Sequence, residues 1–120
     1  MQLEINGKEH DLHFGLDFIE ELDKKYIIKS NGAEFGMGVN TALVYLRQEN
    51  PRILVDLIHA ATSTENMRPG VTEIKRWLEQ LEDLEWLFEN LNEELGKQPM
   101  TKRAVAKMKK AEEEAEAEEE

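Results

Sequence analysis

The sequence predicts an α+β fold that is mainly α-helical: an N-terminal β-hairpin packed on a small bundle of four to five helices, followed by a disordered, charged C-terminal tail. Three observations support this. An Asn-Gly dipeptide separates two short segments of alternating polarity near the N-terminus. Apolar residues then recur at three- and four-residue spacing in successive segments. The final stretch, by contrast, consists almost entirely of charged and small residues.

The opening segment LEINGKEHDLHF predicts the hairpin, over residues 2 to 14. Apolar and polar side chains alternate on both sides of Asn6-Gly7. Both central residues of a type I′ turn need positive φ, and Asn-Gly is the dipeptide that adopts it most readily. A two-stranded hairpin is marginal in water, so we expect its apolar face to lie on the helices that follow.

The next segment, GLDFIEELDKKY, places Leu16, Ile19 and Leu22 at helical spacing with charged residues opposite. It predicts a short amphipathic helix. The following IIKSNGAEF contains Ser-Asn-Gly, which interrupts the helical pattern. We therefore predict a connecting loop there.

The FGMG stretch raises the question of a phosphate-binding loop. A Walker A loop needs G-x-x-x-x-G-K-[ST], and the dinucleotide fingerprint needs a third glycine where Thr41 stands. The stretch fits neither motif. We predict instead that Gly36 and Gly38 supply unusual backbone angles where a loop turns into a central helix, with Phe35 and Met37 packed beneath that helix.

Two further helices are predicted in the middle of the chain. VNTALVYLRQ is apolar on nearly every side, which is typical of a central helix. Asn50-Pro51 then provides an N-cap and a proline at the first helical position, so the next helix should run from about residue 51 to 62.

Residues 71 to 95 keep a helical apolar pattern throughout and fit one long helix or two helices hinged near Gln80 to Asp83. We favour two, with Asp83 capping the second. A single rod of about 25 residues would be near 37 Å long at ~1.5 Å per residue and would overhang so small a domain.

Residues 97 to 120 hold 6 basic and 7 acidic side chains, sorted into a basic block followed by an acidic block. The composition favours a helix locally but offers almost no apolar face to bury. We predict one globular domain over residues 1 to 96 and a flexible tail over 97 to 120, whose two blocks pair transiently.

The global composition excludes several classes of function. Cysteine is absent, and the formal net charge is −11. Nucleic-acid binding needs clustered Lys and Arg, so we expect none. No apolar run approaches the ~20 residues that span a bilayer, and MQLEINGKEH does not resemble a secretion signal. We expect a cytoplasmic protein without membrane contact.

No catalytic, cofactor or metal site is predicted. His10 and His13 lie at an odd offset in a strand, so their rings point to opposite faces, and we interpret both as surface residues. His59 stands alone on the third helix, as a partly buried residue or a polar edge. Ser30 and Ser63 lie in turns, and neither lies in G-x-S-x-G. We therefore predict that the protein is not an enzyme.

Four residues are candidates for contact with a partner: Trp86, Phe88, Leu91 and Met67. Trp86 lies off the main apolar stripe of its helix, so it either anchors a partner or packs against the hairpin. Methionine adapts to irregular apolar surfaces, although filling core gaps is its commoner use. Trp77 belongs to the stripe and is assigned to the core.

The order of segments resembles a known family. The LEINGKEHDLHFG hairpin, the helix GLDFIEELDKKY, the passage into FGMGVNTALVYL and then NPRILVDLIHAAT with an acidic C-terminal region are similar to the tail assembly chaperones of long-tailed phages (siphoviruses) and prophages of Gram-positive bacteria. The similarity covers about residues 1 to 95. The hairpin with its helix and the FGMG passage are its most specific parts.

The resemblance implies a non-enzymatic protein that coats and solubilises the tape measure protein, helps recruit tail tube (major tail) subunits, and is absent from the mature virion. It would act in the cytoplasm of the infected or lysogenic host. Such families commonly also make a longer form by a programmed frameshift, and self-association is possible. An alternative, suggested by the charge of −11, is a small acidic inhibitor or nucleic-acid mimic that binds a basic groove.

Overall fold

The computed structural model describes residues 1–119. Within them the chain forms two separate β-hairpins and a set of helices that pack around one core. The elements, in chain order, are β1 (Gln2–Ile5), β2 (Lys8–Asp11), α1 (Leu16–Lys25), β3 (Ile27–Ser30), β4 (Ala33–Gly36), α2 (Gly38–Arg47), α3 (Arg52–Ala61), α4 (Val71–Glu79), α5 (Leu84–Lys97) and α6 (Lys102–Glu119). The predicted class, α+β and mainly helical, is confirmed.

The first hairpin, β1–β2, forms as predicted. Asn6 and Gly7 have φ values of 52° and 80°, which the type I′ turn requires. Leu3 and Ile5 point into the core, as expected for the apolar face. The prediction that His10 is a surface residue is wrong: it pairs with Leu3 across the strands and is buried on the same face.

A second hairpin, β3–β4, replaces the loop predicted after α1. Its turn is Asn31-Gly32, with φ values of 52° and 80°, so the Ser-Asn-Gly signal marks a hairpin turn instead of an irregular connection. The strands pair antiparallel, with Ile28 opposite Phe35. Every residue of both strands is solvent-exposed.

The core lies where α1, α2 and α3 pack together, with both the first hairpin and α5 contributing side chains. Helix α3 is buried over most of its surface. It begins at Arg52, one residue later than predicted, with Pro51 in place of Asn50 at the cap position. The Asn50 side chain still accepts a hydrogen bond of 3.1 Å from the backbone N–H of Arg52. The largest fully buried side chains are Phe18, Ile5, Leu22, Leu46, Ile53, Leu54, Leu57, Ile58, Ile74, Leu87, Leu91 and Leu95.

The FGMG stretch owes its glycines to close packing. Neither Gly36 nor Gly38 has positive φ. A Cβ on Gly38 would lie 2.4 Å from the backbone carbonyl carbon of Leu22, so only glycine fits against α1 there. The prediction that Phe35 packs beneath α2 is wrong, because its side chain is 53% exposed.

Residues 71 to 95 form two helices, α4 and α5, as favoured from the sequence. Asp83 caps the second: its carboxylate accepts a 2.9 Å hydrogen bond from the backbone N–H of Trp86. This bond satisfies one of the free donors of the first turn. Trp77 is half-buried against the core, in keeping with its assignment.

The C-terminal segment is helix α6, so the predicted disorder is wrong. Ala104, Val105 and Met108 face the core and give the helix a narrow apolar contact with α5 and α2. Thr101 fixes its beginning by donating a 2.6 Å hydrogen bond to the Leu95 carbonyl. These anchors lie in the first half of the helix, and they supply the packing that the sequence pattern did not reveal. A domain boundary between residues 96 and 97 stays a prediction.

Candidate partner-binding surface

Several large apolar side chains are exposed to solvent; single ones are normal on a protein surface, but a group of them can mark an interaction site. Most are isolated, but two regions gather apolar groups. One is the second hairpin, and the other is a set of half-buried leucines where α4 ends and α5 begins. The exposed group consists of Leu16, Ile27, Ile28, Phe35, Val44, Met67, Trp86 and Met100.

Two cavities meet at Leu84, and we call the region that they form the Leu84 surface. One cavity, of about 520 Å³, lies between α2 and α5 and is lined by Leu46, Arg47, Glu49, Leu84, Glu85, Phe88, Glu89 and Asn92. The other, of about 480 Å³, lies between α3 and α4 and is lined by Pro51, Arg52, Val55, Lys75, Leu78, Glu79, Leu81 and Leu84. Both are open to solvent and have room for apolar side chains of a partner.

The break between α4 and α5 builds this surface. Helix α4 ends at Glu79, and the connection carries Leu81, which lies at the second cavity together with Leu78. The cap on α5 then starts a new helix whose first residue is Leu84. A continuous helix would keep its apolar residues on one stripe facing the core, whereas the break leaves these leucines only half-buried.

Charges around the two cavities differ. At the second cavity, Glu79 is paired with Arg76 at 2.7 Å, while Arg52 and Lys75 have no carboxylate within ion-pair distance among residues 1–118. That rim is locally basic on a chain of net charge −11. At the first cavity, Arg47 is engaged with α6 through Glu112 at 3.2 Å. The remaining charged groups there are glutamates.

The four predicted partner-binding residues do not come together. Trp86 is 47% exposed on α5, and Met67 is 73% exposed beside the first hairpin, in a separate cavity. Phe88 is buried but lines the first cavity of the Leu84 surface. Leu91 is fully buried and belongs to the core. Partner contact at Trp86, Phe88, Leu91 and Met67 stays a prediction.

Two exposed apolar groups were missed from the sequence. Ile28 and Phe35 lie opposite each other on the second hairpin, and both are more than half exposed. The second Asn-Gly dipeptide was the signal that could have revealed them. Leu81 and Leu84 were missed because apolar residues on a helical stripe are expected to be buried. The break between α4 and α5 leaves both of them only half-buried.

Polar contacts between α1 and α3 tie these helices together. The Tyr26 hydroxyl donates a hydrogen bond to Asp56, and burial together with this carboxylate raises the pKa of Tyr26 well above its ordinary value. Lys25 Nζ lies 3.3 Å from Nδ1 of His59. Burial, Arg68 and Lys25 lower the pKa of His59, so its neutral ring accepts the lysine's hydrogen bond.

Polar contacts also join the first hairpin to the α3–α4 connection. Nδ1 of His10 lies 2.6 Å from a Glu65 carboxylate oxygen, and the other oxygen accepts from the backbone N–H of Asp11. Over residues 1–118, no three His, Asp or Glu side chains gather as a metal site would need. Among residues 1–119, no helix is both long and apolar enough to cross a membrane.

Comparison with known proteins finds one family. A family model described as phage tail assembly chaperone protein, TAC, matches residues 2–110. No curated protein and no solved structure matches the chain. The matched range includes both hairpins, the entire Leu84 surface and the first half of α6.

Proposed function

The chain belongs to the phage tail assembly chaperone family, and from this membership we propose that it binds the tape measure protein, keeps it soluble, and helps to recruit tail tube subunits during assembly of a long phage tail. Its partners are therefore proteins of the tail. The Leu84 surface is the region that we assign to the tape measure protein.

The observation that carries this assignment is the pair of open cavities that share Leu84. A helix laid across them would place apolar side chains in both. Helices docked in apolar grooves are recognised by apolar side chains that recur along one face of the helix. A tape measure protein is a long, largely helical and apolar chain, so it offers segments of this kind along its length.

The charge of the chain supports a solubilising role. With a net charge of −11, copies of the protein bound along an apolar chain repel one another and keep the complex dispersed. The basic rim of the second cavity, Arg52 and Lys75, places positive charge next to the apolar lining. This rim favours segments of the tape measure protein in which a carboxylate follows the apolar residues that enter the cavity.

We place the activity in the cytoplasm of the infected or lysogenic host, and not in the mature virion. It proceeds by binding and release, without catalysis. A longer form, made by a programmed frameshift near the end of the reading frame, would carry the same Leu84 surface and an added segment. That longer form is a candidate for the contact with the tail tube protein.

Co-expression tests the proposal. The tape measure protein is expressed with a tagged form of this chain, and its soluble yield and co-purification are measured. We expect the wild-type chain to keep the tape measure protein soluble. Leu84→Glu should abolish co-purification, because a carboxylate in the shared wall of both cavities would be desolvated by a bound helix.

The matched control is Leu16→Glu, which adds the same charge at a residue that is 68% exposed and lies outside the Leu84 surface. It should leave binding intact. A tape measure protein that stays insoluble with the wild-type chain overturns the function, whereas equal binding by both variants overturns only the site. Adding the tail tube protein to the purified complex tests recruitment, which fails if no ternary complex forms.

A further inference from the structure

Helix α6 carries a charge pattern with a centre of symmetry. Around the point between Ala111 and Glu112, four pairs of positions at equal distances on either side hold either a lysine and a glutamate or two alanines. Every lysine from 107 to 110 has its glutamate at the mirrored position. The mirrored pairs are Lys110 and Glu113, Lys109 and Glu114, Lys107 and Glu116, and Ala106 and Ala117.

The patterned side faces away from the protein. Ala104, Val105 and Met108 of α6 lie against the body of the fold, and Glu112 reaches Arg47 on α2. The mirrored residues are all exposed. Among them, Ala106, Lys110, Glu113 and Ala117 recur at three- and four-residue spacing, so they form one stripe along the outer side of the helix.

This order of charges is unfavourable for a helix standing alone. The partial charge at a helix N-terminus is positive and the one at the C-terminus is negative. Helix α6 has no acidic residue in its first turn and no basic residue in its last, and its basic block precedes its acidic block. This charge pattern destabilises an isolated α6. A second helix with the opposite order of charges beside it would offset that loss of stability.

We propose that α6 pairs antiparallel with α6 of a second copy of this chain, about a two-fold axis that passes between Ala111 and Glu112. In that orientation each lysine block faces a glutamate block, and the helix dipoles also oppose. Lys110 of one copy lies opposite Glu113 of the other, and the small Ala106 and Ala117 face each other and let the helices approach. A parallel pair would instead place lysine beside lysine.

The occupant is a second copy because charge complementarity selects it. Outside α6 the charge is acidic on balance, so two copies repel overall, whereas the basic block of each α6 attracts the acidic block of the other. The interface is isologous, with the same stripe on both sides, as a two-fold axis requires. The Leu84 surface takes no part, so this pairing is independent of the proposed function.

Disulfide cross-linking tests the pairing and its orientation, because the full chain has no cysteine of its own. Purified Ala106→Cys and Ala117→Cys variants are mixed and oxidised, and the yield of dimer is measured on non-reducing gels. Antiparallel pairing brings these two positions together within the ~7 Å that a disulfide allows between Cα atoms. We expect efficient dimer formation in the mixture and at least a tenfold lower yield from Ala106→Cys alone.

Ala106→Cys alone should fail because its two copies would be about 16 Å apart along the axis, at ~1.5 Å per residue. Equal cross-linking of Ala106→Cys with itself indicates parallel pairing and overturns the proposal. So does an absence of dimer in the mixture. Circular dichroism of each variant confirms that both exposed substitutions leave the helix folded.

Charge reversal provides a second test. With the cysteines in place, changing Lys107, Lys109 and Lys110 to Glu on both variants should reduce the dimer yield at least tenfold. Changing Glu113, Glu114 and Glu116 to Lys on both variants as well, which exchanges the two blocks and again places opposite charges at both contacts, should recover it. The control, Lys75→Glu on α4, should leave the yield unchanged; an equal loss there would show that total charge, and not the pattern on α6, governs pairing.

Discussion

The two β-hairpins of this protein share a design and differ in where they lie. Each has two four-residue strands and an Asn-Gly turn with φ values of 52° and 80°. The first buries Leu3 and Ile5 in the core, whereas the second has no buried residue in either strand. The turn chemistry therefore specifies a hairpin in both places, and contact with the core distinguishes a structural element from an exposed one.

The difference has consequences for stability and for function. The first hairpin is part of the cooperative core, so damage to it should unfold the domain. The second hairpin adds little buried area, and its exposed Ile28 and Phe35 are available to other molecules. Elements that bind partners are commonly drawn from the less stable parts of a fold.

The largest contrast should come from truncating one isoleucine on each hairpin. Ile5→Ala removes a fully buried side chain and should lower the free energy of unfolding by about 2–5 kcal/mol. Ile28→Ala, at a residue 52% exposed, should change it by less than about 0.5 kcal/mol. Urea titration followed by circular dichroism measures both. Similar losses would show that the second hairpin belongs to the core after all.

Substitutions of the glycines that join the second hairpin to α2 should have the next largest effect on stability. Gly38→Ala pushes a methyl group into the backbone of Leu22 and should cost about 1–3 kcal/mol. At Gly36 the nearest atom is the Cβ of Asp23, 2.5 Å away, which side-chain rotation does not move, so an added methyl group must shift the backbone and strain the Asp23 hydrogen bond to the Gly38 N–H.

Because β4 is exposed and can shift, Gly36→Ala should be the milder change, detectable as a smaller drop in thermal midpoint. If both variants fold normally and bind no tape measure protein, the stretch is a contact site and not a packing site.

Replacing the turn glycines separates local from global effects. Alanine at a φ of 80° is strained by about 1 kcal/mol, and the structure offers room for the methyl group at both Gly7 and Gly32. Gly7→Ala should lower global stability by that amount. Gly32→Ala should only speed amide exchange within β3 and β4, because that hairpin can open alone. A global loss with Gly32→Ala would contradict independent opening.

Lowering the pH should produce the smallest change in stability, and it should affect the two hairpins differently. The pKa of His59 is lowered from 6.5 by burial and by its neighbouring cations Arg68 and Lys25. The unfolded chain therefore binds the proton first, so the contribution of His59 is complete above pH 6.5 and declines as pH falls below it. Amide protection of β1 and β2 should fall with it, while that of β3 and β4 should not.

His59→Gln is the control for that effect. Its glutamine does not titrate, so stability should fall less than in the wild-type chain as pH drops below 6.5. Only the difference between the two proteins reports on His59, since other groups also titrate in this range. Identical pH profiles would exclude His59 as the source.

Much of the architecture could be predicted because it follows from local chemistry. The spacing of apolar residues predicted α1 to α5, and the carboxylate of Asp83 marked the start of α5. Asn6-Gly7 predicted the first hairpin for the same reason: positive φ at both positions is a property of two residues and needs no information from the rest of the chain.

Prediction of the surface was poorer, because exposure depends on which elements meet. Leu91 follows the helical stripe and is buried, whereas Phe35 is apolar and exposed. His10 is polar and buried because its strand lies beneath Glu65 of a distant connection. In each case the burial of the side chain depends on whether residues far along the chain pack against it, and a local sequence pattern does not indicate this.

The sequence by itself determined the class of fold, the elements with strong periodicity or turn signals, and the acidic character, since each depends on neighbouring residues or on composition alone. Only the tertiary structure decided that the second hairpin stands in solvent, that α6 is ordered by Ala104, Val105 and Met108 against α5 and α2, and that two cavities meet at Leu84. The physical reason is that burial, close approach and cavity shape are properties of pairs of elements, whose meeting is settled by the free energy of the assembled core.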